Sequence, residues 1–294
     1  MSAGARIVER VAVIDNVRTR TLEVAGNGPA VLLLHGFTDS ADSWRPVLDQ
    51  LAGMSRRAVA VDLPGSGRAP ALDRPALRSL YRFTEQFVRE QADGGPVVVA
   101  GNSLGGLLAL RAAQDATLPL AAVAGIGPAG LAYHRHLVAL EWMLRRTHPL
   151  LALLDALPVP APIVRRLAAF LYERRLSQGL ADPLLATYYG SHFAGFGDLG
   201  RLRADLIALS ADSRADPLTL EEIAVPVLLI WGRRDRLAAL GGADALLDAV
   251  PNSRLVVFDD CGHCPQIQRP VDVARLLADL PASLELDHEK GTPR

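Results

Sequence analysis

Continuous apolar runs recur along the chain at Ala30–Leu34, Ala58–Leu63, Pro96–Gly101 and Leu120–Ile126. Short runs that are apolar without alternation are strands covered on both faces, as in a parallel sheet with helical crossovers. The spacing of apolar positions between the runs predicts helices near Trp44–Leu51, over Pro75–Gln91 and from Ser103 to Gln114. Ahead of them, Arg6–Asp15 and Val17–Val24 flank an Asp-Asn turn and predict a leading antiparallel hairpin. The alternation stops at about Pro128. From there to about Asp216 the chain is rich in Leu, Ala and Arg, mostly helical in spacing, and broken by Pro158-Val159-Pro160-Ala161-Pro162. Strand signals return at Val225–Trp231 and Arg254–Phe258, with helices near Ala238–Val250 and Val271–Leu280. The predicted fold class is α/β, a mostly parallel doubly wound sheet with an inserted helical lid. Residues 1–128 and 217–286 form the core in this reading, 129–216 the cap, and the polar stretch 287–294 a flexible tail.

Composition narrows the picture without redirecting it. Half of the 294 residues are apolar, enough for a large core, and a net charge of -1 offers no basic field for nucleic acid. The first ten residues are polar and charged, so no secretion signal is read there. The window Leu118–Leu131 is too short and too broken by glycine and proline to span a bilayer. A cytoplasmic protein without stable membrane insertion is expected, and a homodimer is left open. The only two cysteines form Cys261-Gly262-His263-Cys264. A redox pair belongs after an early strand, and a zinc site needs a second cluster of ligands, so neither metal nor cofactor is expected.

The chemistry concentrates in Gly101-Asn102-Ser103-Leu104-Gly105, which follows a strand and opens a helix. This G-x-S-x-G turn makes Ser103 the best candidate nucleophile, with a strained backbone that lifts its hydroxyl clear of the sheet. Such a serine needs a base, and the base needs an orienting group. In a doubly wound sheet both belong on loops at the carboxyl edge. Asp235 follows the strand ending at Trp231, and His263 follows the last strand. Asp259 and Asp260 are less suited as orienting acids because they lie so close to His263 along the chain. His35-Gly36-Phe37, after the first buried run, is a glycine turn able to aim a backbone N–H at a developing oxyanion.

At these residues the chain resembles the α/β-hydrolase family, from about Ala30 to Leu280 apart from the lid. The resemblance rests on His35-Gly36, Asp62-Leu63-Pro64-Gly65-Ser66-Gly67, the elbow at Ser103, and Trp231-Gly232-x-x-Asp235 followed by Gly262-His263. It implies that Ser103 attacks a carbonyl, His263 carries the proton, and Asp235 orients His263. It further implies an oxyanion hole built from the backbone N–H groups of Phe37 and Leu104. Serine at the elbow separates the chain from relatives with an aspartate nucleophile, the epoxide hydrolases and haloalkane dehalogenases. Where the family often has glutamate, this chain has Gln268. An apolar lid carrying Trp142, Tyr189 and Phe193, taken as substrate-binding candidates, suggests an apolar small-molecule ester. Carbon–carbon bond hydrolysis of the meta-cleavage type and a non-catalytic ligand receptor are the alternatives. The cysteines flanking His263 suggest an activity that responds to reductant.

Overall fold

The protein is described here by a computed structural model covering residues 7–132, 138–139, 142–147, 159–176, 183–193 and 195–290. Eight strands form one sheet in the order β1-β2-β4-β3-β5-β6-β7-β8. They are β1 (Val8–Ile14), β2 (Val17–Val24), β3 (Asn27–Leu34), β4 (Arg56–Val61), β5 (Val97–Asn102), β6 (Leu120–Ile126), β7 (Val227–Gly232) and β8 (Ser253–Phe258). β1 pairs antiparallel with β2, and β2 antiparallel with β4; every later pairing is parallel. The leading hairpin and the parallel sheet both follow the hydrophobic pattern.

The apolar runs are continuous because successive residues feed two separate cores. Leu32, Leu34, Val59, Val61, Val97 and Val99 point to one face. There they meet Leu80, Phe83 and Phe87 of α2 (Ala76–Gln91) and Leu108 of α3 (Leu104–Ala112). Val31, Leu33, Ala58, Ala60, Val98 and Ala100 point to the other. That face is covered by Leu48 and Leu51 of α1 (Arg45–Gly53) and by Val273 and Leu277 near the C-terminus.

The insertion between β6 and β7 carries, among the described residues, helices only. They are helical residues at 138–139 and 142–147, then α4 (Ala161–Leu171), a π-helical turn at Tyr172–Leu176, α5 (Pro183–Ser191), α6 (Phe196–Ala215) and a 3-10 turn at Leu220–Glu222. After β7 come α7 (Gly242–Ala249), α8 (Pro265–Gln268) and α9 (Pro270–Lys290).

Element ends differ from the pattern for local reasons. The helix expected from Ala238 starts only at Gly242, because the Asp235 carboxylate ties down the N–H groups of Leu237 and Ala238 in a turn. The helix expected from Trp44 is a 3-10 turn at Ala41–Trp44 followed by α1, which begins with Pro46 in its first turn. The closing helix extends beyond Leu280 to Lys290, into the first half of the stretch 287–294 expected to be a tail.

Candidate active site

Ser103 sits at φ 53°, ψ -110°, a strained left-handed conformation for a residue with a Cβ. Three backbone bonds hold it there: its N–H donates to Ile126 C=O (2.9 Å), and its own C=O accepts from Leu107 (3.0 Å) and Ala129 (2.9 Å). The flanking glycines have a steric cause. A Cβ on Gly101 would lie 2.1 Å from the Gly105 backbone, and one on Gly105 would lie 2.2 Å from Leu34 O. The strand, the turn and the first turn of α3 therefore close only with glycine at both positions.

His263 and Asp235 meet at the same edge. His263 Nδ1 lies 2.8 Å from Asp235 Oδ2, with both side chains buried. Asp235 Oδ1 accepts from the N–H groups of Leu237 (2.7 Å) and Ala238 (3.0 Å), which fixes the plane of the carboxylate. With Nδ1–H donated to Asp235, Nε2 is left as the proton acceptor. Gly127, at φ 47°, lies against this pair, and a Cβ there would come within 2.9 Å of Asp235 Oδ2 and 3.3 Å of His263 Nδ1. Asp259 and Asp260 are turned outward on Arg233 and Arg269 respectively. Their proximity along the chain does not make them partners of His263.

The elbow and the histidine loop are joined by a side chain that the sequence reading left without a role. Asn102 Nδ2 donates to Ile126 C=O (3.1 Å) and to His263 C=O (2.9 Å). Gln268 has a similar function from the other side, its Oε1 accepting the Gly262 N–H at 2.7 Å. Glutamine thus supplies the acceptor that a glutamate would offer there.

His35 is fully buried and supports the Gly36-Phe37 turn. Its Nδ1–H donates to Gly36 C=O (2.8 Å) and its Nε2 accepts from Leu63 N–H (2.9 Å). Burial drives its pKa down to about 4, so the ring stays neutral and keeps this pair of bonds at neutral pH. Asp62 is structural, as its place in the Asp-Leu-Pro-Gly turn suggests. It binds Arg20 through both oxygens (2.9 and 3.0 Å) and accepts from the N–H groups of Ala41 and Arg68 (both 2.8 Å). Asp42 completes the buried cluster, 2.7 Å from Arg20. Arg20 lies in the hairpin, where nothing in the periodicity marks it as the partner of two distant carboxylates.

A cavity of about 360 Å³ opens between the sheet edge and the cap. Ser103, His263, Phe37 and Leu104 all line it, so the expected nucleophile, base and oxyanion donors face one space. Its walls are largely apolar, with Leu77, Leu107, Leu206 and Leu209 prominent, and Ser210, Ser213 and Arg214 form a polar patch. Asp39, next to the oxyanion turn, also reaches it. Burial pushes the Asp39 carboxyl up to about 7, against the opposing hydrogen bonds from Ser40 and Ser43.

The three aromatic candidates of the lid do not line this cavity. Trp142 is 58% exposed. Phe193 is packed inside the cap against Val164 and Ala168. Tyr189 stacks on Tyr172 and reaches the site indirectly, its hydroxyl donating to Thr38 Oγ1 (3.0 Å) in the oxyanion turn. The cavity's apolar lining comes instead from aliphatic residues of α2, α3 and α6. Cys261 and Cys264 are both free and buried, and burial raises both thiols, Cys261 to about 11. Thiols held protonated are poor partners for disulfide exchange, so activity is expected to be the same with and without reductant. His192 bonds Ser40 Oγ away from the cavity, while His134, His136 and His148 lie outside the described residues.

Comparison with known proteins identifies the family. The family model of the alpha/beta hydrolase fold matches residues 29–270. The pimeloyl-[acyl-carrier protein] methyl ester esterase of Aromatoleum aromaticum is 31% identical over 261 residues, covering 86% of this chain and 98% of that protein. The monoacylglycerol lipase ABHD6 of Bos taurus is 27% identical, covering 88% of this chain and 77% of its own. Among solved structures, a serine hydrolase involved in carbazole degradation superposes with a TM-score of 0.71 at 23% identity, over 95% of this chain and all of that one. The matched span includes the Ser103 elbow, the Asp235 loop and the His263 loop, and the chain belongs to the α/β-hydrolase fold family.

Proposed function

We propose that the protein is a serine hydrolase that cleaves carboxylic esters or related acyl compounds of apolar small molecules. The observation that carries this reading is the 2.8 Å contact of Asp235 with His263, which lines the same cavity as the strained Ser103. Ser103 Oγ attacks the acyl carbon as its proton passes to His263 Nε2, and the carbonyl π electrons move onto oxygen. The N–H groups of Phe37 and Leu104 receive that oxyanion; one such donor is typically worth about 3 kcal/mol of barrier. Collapse expels the alcohol, which takes the proton from His263. Water, activated by the same histidine, then hydrolyses the acyl-enzyme and returns Ser103. Asp235 holds the ring in the tautomer that both half-reactions need.

Two named relatives, an esterase and a monoacylglycerol lipase, support ester chemistry, and the aliphatic cavity wall supports an apolar acyl group. Domain limits of 1–128 with 217–286 for the core and 129–216 for the cap belong to the same proposal. The test is labelling with a fluorophosphonate, read by peptide mass, followed by turnover of p-nitrophenyl esters of increasing chain length. Label is expected on Ser103, and Ser103→Ala is expected to lose on the order of a million-fold in turnover. Label elsewhere, or unchanged turnover in the variant, overturns the assignment. Turnover of a dienoic keto acid with none of any ester replaces ester cleavage by carbon–carbon cleavage.

A further inference from the structure

Exposed apolar side chains are concentrated on the cap. Among the described residues, seven of the twelve exposed large hydrophobics lie between Val138 and Tyr188. α4 shows the pattern most clearly. Val164 and Ala168 point inward to Phe193, while Ile163, Leu167 and Phe170 are 58, 45 and 51% exposed on the outer side. The spacing of these three, four and then three residues apart, places them on one stripe. A surface helix normally turns a polar stripe outward, so an apolar one is, among the described residues, an unpartnered face.

Basic groups accompany the apolar ones. The guanidinium of Arg174 lies over the Phe170 ring (5.3 Å), and that of Arg146 over Trp142 (4.1 Å). From 133 to 195 the sequence has seven arginines and four carboxylates, in a chain whose net charge is -1. Aromatic rings paired with cations suit the boundary between anionic headgroups and acyl chains. Each arginine near such a surface contributes attraction to anionic lipid that salt weakens. The cap also leads to the cavity: Val138, 54% exposed, lines it, and Trp142 follows four residues later in the sequence.

We propose that the outer face of the cap, centred on Ile163, Leu167 and Phe170, is a docking surface for an anionic lipid bilayer. The chain binds there peripherally, without crossing the bilayer, and presents its cavity to apolar substrates dissolved in the lipid. Docking needs no catalysis, so it stands or falls separately from the ester-hydrolase reading. The test is co-sedimentation of the full chain with vesicles of phosphatidylcholine and phosphatidylserine, and with vesicles of phosphatidylcholine alone. Wild type and Ser103→Ala are expected to bind the anionic vesicles equally, and raised salt to weaken that binding. The combined Ile163→Ser, Leu167→Ser, Phe170→Ser variant is expected to bind at least tenfold less while retaining wild-type turnover of a short soluble ester.

A second variant, Arg166→Glu with Arg174→Glu, leaves the apolar stripe in place and is expected to lose the preference for anionic vesicles. Wild type that ignores both vesicle types, or a combined Ile163→Ser, Leu167→Ser, Phe170→Ser variant that binds as wild type does, overturns the proposal. Wild type that dimerises through the stripe and does not bind vesicles overturns it in favour of a second copy of the chain. Binding that saturates instead with an acidic protein overturns it in favour of a protein partner.

Discussion

Replacing Asp39 by asparagine isolates a charge that the fold resists. The Asp39 side chain is 5% exposed, and burial pushes its carboxyl from 3.8 to about 7. For an acid raised in the folded state, the native chain holds the proton more tightly than the unfolded chain. The stabilising contribution is complete below about pH 4 and is lost as pH rises through about 7. At about 1.36 kcal/mol per unit, the whole loss is about 4 kcal/mol, of which about 1.4 kcal/mol falls between about pH 6 and pH 8. With a melting entropy of about 2.1 cal/mol/K per residue over 294 residues, that segment is worth roughly 2 °C in Tm. Asparagine keeps an oxygen to accept the Ser40 N–H, which Asp39 Oδ1 accepts at 2.8 Å, and cannot ionise. The assay is Tm against pH for both proteins in matched buffers, read as a difference so that other titrating groups cancel. The variant is expected to gain on wild type across this interval and to hold that gain at higher pH. Parallel curves refute the reasoning. Because Asp39 lines the cavity beside the oxyanion turn, the same variant is expected to keep its activity to higher pH, since no anion then forms near the tetrahedral intermediate.

Asp62→Asn leaves Arg20 with only part of its buried compensation and is expected to cost about 3 kcal/mol, measured by denaturant unfolding; a loss under about 0.5 kcal/mol contradicts the network. Gly127→Ala places a methyl group against Asp235 and His263, so kcat is expected to fall at least about 100-fold with the fold retained by circular dichroism. Wild-type kcat in that variant shows that the pair tolerates displacement. Activity with and without reductant is expected to be equal, since both thiols are buried and held protonated; a reversible gain on reduction argues otherwise. His35, lowered to about 4 from 6.5, stabilises the fold above about pH 6.5 and loses that contribution as pH falls through about 4. His35→Gln is therefore expected to flatten the acid limb of stability, and an unchanged limb counts against it.

The strands and the order of site residues were legible because both depend on local rules. Two-sided burial makes β3 to β7 apolar without alternation, and the elbow's close approaches admit only glycine at 101 and 105. What stayed hidden depends on contacts between segments far apart in sequence. Arg20 joins Asp42 and Asp62, and Asn102 joins the histidine loop, with nothing in either local stretch to announce it. Nothing in the local sequence marks Asp39, and only its burial against the cavity reveals a perturbed acid. The lid failed for a related reason. Trp142, Tyr189 and Phe193 are the large aromatic side chains of the insertion, yet the described cavity wall takes leucines from α2, α3 and α6 together with Phe37 and Val138.

Ser103 and His263, the proposed nucleophile and base, are positioned by shared anchors. Ile126 C=O receives both the Ser103 N–H and the Asn102 amide, and that amide also holds His263 C=O. One residue on, Gly127 N–H donates to Ile230 C=O, while Arg234 N–H donates to Cys261 C=O, tying the Asp235 loop to the His263 loop. Each strand end is thereby fixed by its neighbour, and the elbow's strain is balanced by bonds that also set the base. Shifting one anchor moves several groups together, so substitutions at Asn102, Gly127 and Asp235 are expected to combine with less than additive losses in activity. A distributed site of independently placed residues would show additive losses, and a double-mutant cycle of Asn102→Ala with Asp235→Asn distinguishes the two.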